Sequence, residues 1–341
     1  MSSTPRRAPR PLRASLGALA LAGIVGALAA GGVAEAQADP GPPPGARLSA
    51  SAQRQIDAIV ADKQRWTPAE RKVAPDLLYA RNEAAGKRAV AGAPALKSGV
   101  DVVGGTVLVD LDATVTQNLL DAIDAAGGTV TTSVAAFDAV RAEVPVDAVV
   151  DLAERNDVAH VRPADEATTN QDPGAVASSV GAGANEAEVT HGADDARIDF
   201  GVDGTGQKVC VLSDGVDSLA DRVASGDLPN DVDVLAGQAG SGDEGTAMLE
   251  LIHDIAPGAD LGFATAFNSL ASFAQNIIDL RADGCTVIVD DITYFVESNM
   301  QDGPIAQAVT TVRNDGAIYF SSSSNSGNLP DGTSGTWQGD F

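Results

Sequence analysis

Three polar strand ends and one helix start hold the residues that could do chemistry. They are Ser213-Asp214-Gly215, Asp290-Asp291, the run Ser321 to Gly327 with Asn325 inside it, and Glu244. Glu244 opens a segment in which Ala247, Met248, Leu251, Ile252 and Ile255 recur at helical spacing. It lies three and four residues before Ala247 and Met248, which puts a carboxylate on the expected buried stripe. A carboxylate on a core face is costly unless something uses it, and proton transfer is the use that fits. The plainer reading is a charge that complements the helix dipole in the first turn.

The elements that must position these residues alternate. From about residue 191 the pattern reads strand at 207–212, helix from Glu244, strand at 260–264, helix at 269–282, strand at 286–289, helix at 305–314 and strand at 317–320. Strands alternating with helices imply a parallel, doubly wound α/β sheet. In such sheets sites lie beyond the carboxyl ends of the strands, where Asp214, Asp291 and Asn325 fall. Gly204-Thr205-Gly206 precedes a strand, so it is no dinucleotide fingerprint.

The order of these segments resembles the subtilisin–sedolisin clan of serine peptidases over roughly residues 191–328. The run Val209 to Asp217 resembles the clan's first strand, ending in its catalytic aspartate. Ser213 holds the usual acid slot, and the acid, Asp214, stands one residue later. Glu244-Gly-Thr-Ala resembles the His-Gly-Thr-His segment of subtilisins with glutamate for histidine, as in sedolisins. Met248 stands where sedolisins carry a second acid. Val287 to Thr293 resembles the strand that pairs with peptide substrate, so Asp291, Ile292 and Thr293 are the expected substrate-binding residues. Ser324-Asn325 resembles the segment that supplies the oxyanion-hole amide.

The resemblance implies acyl transfer on peptide bonds. In it a serine attacks, Glu244 takes its proton, Asp214 holds or shares a proton with Glu244, and Asn325 stabilises the oxyanion. Two adjacent carboxylates would split their pKa values, leaving one able to shuttle a proton, and a carboxylate base predicts an acidic optimum. Gly332-Thr-Ser-Gly335 lacks the helix that follows the clan's nucleophile, so the serine is expected beyond Phe341. The expected fold class is thus α/β, a doubly wound parallel sheet, subtilisin-like and incomplete, preceded by a small α+β split-βαβ propeptide domain.

That smaller unit is read from residues 101–165. Strand, helix, strand, strand, helix, strand follow in order, with Gly127-Gly128 ending the first helix and Pro145 opening the second. The resemblance makes it a propeptide that would act as an intramolecular inhibitor. Residues 39–100 read as a helical N-terminal segment and linker, with a capping box at Thr67-Pro-Ala-Glu70. Residues 166–190 show no periodicity and read as an exposed linker.

Residues 1–38 read as a signal peptide. Arg6, Arg7, Arg10 and Arg13 precede an apolar run from Leu16 to Val33, and Ala36-Gln37-Ala38 is a small-x-small cleavage site. A membrane anchor is the alternative, but the many Gly and Ala residues favour cleavage. The expected location is extracellular or periplasmic, with no membrane after cleavage. Export would leave Cys210 and Cys285 free to pair, or to remain as two buried thiols.

A net charge of −25 argues against nucleic acid and against anionic membranes. Protein or peptide substrates remain. No cofactor is expected with certainty. The Asp-rich loop at 227–233 is a Ca²⁺ candidate, with solvated acidic loops as the commoner explanation. His253, beside Asp254 at the far end of its helix, reads as a dipole residue rather than a base. A catalytically inactive relative with a binding role is the competing function.

Overall fold

The computed structural model describes residues 49–94, 96–169, 186–297 and 300–323. The signal-peptide reading, Asn325 and the segment at 332–335 lie outside them. Among the described residues no helix is long and apolar enough to cross a membrane. The chain divides into two units, residues 1–53 and 54–341. Of the first, only residues 49–53 are described, and they begin helix α1 (Ala50–Gln64).

In the second unit, α2 (Pro75–Ala84) precedes a four-stranded antiparallel sheet. Its elements are β1 (Thr106–Ala113), α3 (Gln117–Ala125), β2 (Thr129–Val134), β3 (Ala139–Pro145), α4 (Val149–Glu154) and β4 (Val158–Pro163). The spatial order is β2-β3-β1-β4. Thr116 caps α3 by accepting a hydrogen bond from the Leu119 amide. Val109, Leu111, Val140 and Val144 alternate inward and pack against Leu119 and Ile123 of α3. Leu77 and Leu78 of α2 join the same core.

Two upstream expectations change. The box at Thr67 and Glu70 forms in both directions, but it opens a single 3₁₀ turn, Glu70–Lys72, instead of a long helix. The stretch read as a linker near residues 90–100 packs: Ala89, Val90 and Ala93 are buried against Tyr79 and Trp66. Small residues can bury as well as hinge, and here two rings supply the surface.

The remaining elements are β5 (Thr168–Thr169), α5 (Glu186–Thr190), α6 (Ala193–Phe200), β6 (Lys208–Ser213), α7 (Leu219–Ser225), β7 (Asp233–Val234), α8 (Glu244–Ile255), β8 (Asp260–Thr265), α9 (Leu270–Ala282), β9 (Val287–Asp290), β10 (Ile292–Thr293), α10 (Pro304–Asn314) and β11 (Ile318–Ser321). Five strands form a sheet in the order β11-β9-β6-β8-β7, and every pair in it is parallel. Its two faces are covered by different helices. Leu212, Ala264 and Ile288 pack with Phe273 and Ile277 of α9 and Ala308 of α10, while Val211 and Phe263 pack with Leu249 of α8. The doubly wound α/β sheet expected from the sequence is what forms.

Cys210 of β6 and Cys285, just before β9, form a disulfide with Cα atoms 5.9 Å apart. Arg141 and Asp110 form a buried ion pair at 2.7 Å. The same guanidinium donates to the carbonyls of Asn268, at 3.3 Å, and Asp165, at 2.6 Å. It thereby joins the antiparallel sheet to the loop before α9. It also fixes the chain just ahead of β5.

Candidate active site

Chain order places a switch point at β6, with β8 on one side and β9 on the other. The carboxyl ends of these strands therefore open into one crevice, the usual place for a site in an open α/β sheet. Asp214 follows β6, Thr265 ends β8, Asp290 ends β9, and Asp291 follows it.

Asp214 acts on the backbone. Its Oδ1 accepts hydrogen bonds from the amides of Gly215 at 2.6 Å, Glu244 at 3.0 Å and Gly245 at 3.2 Å. The last two are free amides at the start of α8, so Asp214 caps a helix from a different element and its charge complements the dipole. Its carbonyl accepts from the Thr265 hydroxyl at 2.7 Å. The loop before α8 is stitched to the same turn: Asp217 accepts from the Gly242 amide at 2.9 Å, and Asp243 accepts from the Ser218 amide at 2.7 Å. Gly242 has φ +119°, and a Cβ there would collide with the Asp214 carboxylate.

The helix so placed is rotated relative to the expected stripe. Its buried residues are Gly245, Thr246 and Leu249, with Met248 and Ile252 partly packed, while Leu251 is 45% exposed. The cause is Gly245. It lies so close to the Phe263 ring and the Gly215 carbonyl that no side chain would fit. Glu244 is consequently half-buried at the mouth of the crevice instead of facing the core.

There Glu244 meets Asp291, with a hydrogen bond between the two side chains, and Thr169, whose hydroxyl donates to the Glu244 carboxyl. The Glu244 Oε2 is buried without a hydrogen-bond partner. Burial first, then Asp291 through its hydrogen bond and its charge, push the Glu244 pKa up to about 7; Thr169 opposes the rise. The sequence reading gave Asp214 as the partner of Glu244. The structure pairs Glu244 with Asp291, while the Asp214 carboxylate accepts from backbone amides and acts on Glu244 through its charge. A carboxyl with its pKa held at about 7 ionises above the range of an ordinary carboxylate, on which the expectation of an acidic optimum rested.

Ile292 and Thr293 form β10, the expected substrate strand, and it is occupied. Thr169 pairs with Ile292, and Thr168 with Thr293, in antiparallel register. Residues 168–169 are therefore a strand, and 186–190 a helix, inside the stretch read as an unstructured linker. Sequence reasoning missed Thr169 because two polar residues carry no periodicity. Ser213, in the clan's acid slot, is fully buried and its hydroxyl has no partner.

Asp290 is 3% exposed and accepts from the Tyr319 hydroxyl at 2.6 Å, the Ser321 hydroxyl at 2.8 Å and the Ile292 amide at 3.3 Å. Burial raises its pKa against these donors. It ties the bend that carries Asp291 to the end of β11. His253 lies nine residues along α8, roughly 13 Å from Glu244 by helical rise. Among the described residues no group of three or more His, Cys, Asp or Glu side chains could hold a metal ion. In the Ca²⁺ candidate loop, Asp227 accepts from Ser225 and Asp233 pairs with Lys208.

No protein-family model matches the chain, and no curated protein matches it. Among solved structures it is similar to a mutant of the epidermin leader peptide processing serine protease of Staphylococcus aureus, with TM-score 0.47 and 12% identity. That match covers 67% of this chain and 63% of the other. It is also similar to fervidolysin of Fervidobacterium pennivorans, described as a keratinolytic enzyme related to subtilisin. There the TM-score is 0.40 and the identity 15%, over 68% of this chain and 42% of that one. The chain thus spans less than two thirds of either protein. The likeness is one of fold alone.

Proposed function

We propose that this chain belongs to an exported endopeptidase that cleaves peptide bonds by serine-type acyl transfer. The observation that carries the reading is the Glu244–Asp291 pair at the carboxyl edge of the sheet, beside a strand already paired with an extended segment. Glu244 is the general base. Its raised pKa makes it a competent proton acceptor near neutrality. Asp291 holds the Glu244 carboxyl and stabilises the proton it takes up. Asp214 places Glu244 by fixing the first turn of α8. β10 binds substrate by strand addition, in which main-chain hydrogen bonds supply the affinity.

In this reading β5 is an inhibitor supplied by the chain itself, seated where substrate would lie. Asn325, outside the described residues, is the proposed oxyanion donor, and the attacking serine is left unassigned. Export rests on the basic and apolar pattern of residues 6–38.

A second reading, a non-catalytic binding protein, is favoured by one observation: the Asp214 carboxylate is engaged by backbone amides instead of by Glu244. One experiment separates the two. The whole protein and its Glu244→Gln variant are assayed on a fluorogenic peptide library from pH 4 to pH 9. A loss of about a hundredfold or more in kcat in the variant supports the peptidase. Equal turnover in both removes Glu244 from the role of base, and no turnover in either supports the alternative.

A further inference from the structure

β5 is held by more than backbone pairing. Thr169 is half-buried, and its hydroxyl donates to the Glu244 carboxyl while its backbone faces Ile292. The Glu244 carboxyl is shared between Asp291 and the Thr169 hydroxyl, and its second oxygen is buried with no partner. The segment also enters the groove from an anchored start. The Asp165 amide donates to Asp110 at 3.2 Å, and the Asp165 carbonyl accepts from Arg141 at 2.6 Å. From there the antiparallel register carries the chain along β10 from Thr293 toward Asp291.

Backbone pairing reads no side chain, so discrimination in this groove falls to what the side chains meet. At the Thr169 position they meet a partly desolvated carboxyl group. Threonine brings a donor on a β-branched frame that suits a strand. Valine fills the same volume and brings none. We infer that the β10 groove selects a hydroxyl-bearing residue, threonine first and serine next, at the position occupied by Thr169. Within the peptidase reading, on which the word substrate depends, the substrates are peptides with Thr or Ser at that position. Thr169 is then the chain's own copy of the preferred residue, and self-inhibition and substrate choice use one contact.

The test has two arms. In the full chain, hydrogen exchange at the amides of β5 and β10 is compared between the natural protein, Thr169→Val and Thr169→Ser. The expected result is exchange about tenfold faster with valine, the loss of one hydrogen bond to an acidic group, and close to natural with serine. Valine protected as well as threonine overturns the inference. The second arm compares peptides that differ only by Thr or Val at that position, with an expected ratio of about ten in kcat/KM. Equal hydrolysis of the two also overturns it. If no peptide is cut at any pH, the peptidase reading falls, and the exchange arm alone decides the groove's preference.

Discussion

The carboxyl of Glu244, at the first turn of α8, lies against that of Asp291, in the bend between β9 and β10. Two acids at this distance do not ionise independently. Burial and the neighbouring Asp291 make Glu244 hold its proton longer than an ordinary carboxyl does.

The pair predicts a pH profile. With Glu244 as the base, kcat rises with pH as it ionises, near pH 7. Asp291→Asn removes the neighbouring charge, which lowers the Glu244 pKa and moves that limb toward acid. Burial, the larger cause, is untouched, so the limb stays above the ordinary carboxylate range. A limb that does not move in Asp291→Asn excludes Asp291 from the pair.

Stability should follow the same proton. The Glu244 pKa is about 7 in the folded protein against 4.5 as its ordinary value, so the folded state binds the proton more tightly. This contribution is fully present below pH 4.5 and is lost as pH rises through about 7. Glu244→Gln should therefore stabilise the fold at pH 8 relative to the natural protein, and much less at pH 4. Because Glu244 is half-exposed, solvent screening leaves roughly 1 kcal/mol of effect, a rise of about 2–4 °C in Tm. Thermal unfolding at the two pH values measures it; equal Tm differences at both would contradict the assignment.

Asp214 and Gly242 should fail together. Asp214→Ala removes the acceptor for two amides of α8 and should cost roughly 1–2 kcal/mol, as lost helix caps do. Gly242→Ala places a methyl group against the same carboxylate, at a backbone angle that side chains rarely adopt. The double variant should cost less than the two single costs added, because both disturb one contact. Urea unfolding of the three variants checks this; simple additivity would separate the two residues.

Asp290 should be a stability residue with a kinetic signature. Asp290→Ala leaves the Tyr319 and Ser321 hydroxyls without their acceptor, at a cost of about 2–4 kcal/mol. Tyr319→Phe removes one donor, at about 1 kcal/mol. Because Asp290 also holds the Ile292 amide, KM should rise in Asp290→Asn more than kcat falls. A fall in kcat alone would count against the role.

Much of the parallel sheet could be read from the sequence. Val209 to Leu212 and Thr286 to Val289 are short apolar runs bounded by polar residues, and such runs become buried strands wherever helices cover both faces. Ser269 announces its helix, and its hydroxyl caps it. The capping geometry at Asp214 could not be read. Helical periodicity places a stripe only to within about a residue, and the close fit of Gly245 against Phe263 decides the rotation. The Glu244–Asp291 contact was hidden for a different reason. It joins a helix start to a strand end across the sheet, and no local pattern encodes which of several acidic strand ends will be nearest. The seating of Thr168 and Thr169 was least legible, since a two-residue strand exists only through its partner.

The disulfide bears on damage as well as on folding. Cys210 and Cys285, separated by 75 positions, close a covalent ring that contains Asp214, Glu244 and the whole loop between α7 and α8. A single cut anywhere in that ring opens it without dividing the molecule, because both new ends stay tethered through sulfur. Where cleavage by other enzymes is frequent, the exposed loops near residues 226–243 can be scarred while Asp214 and Glu244 keep their common attachment to the sheet.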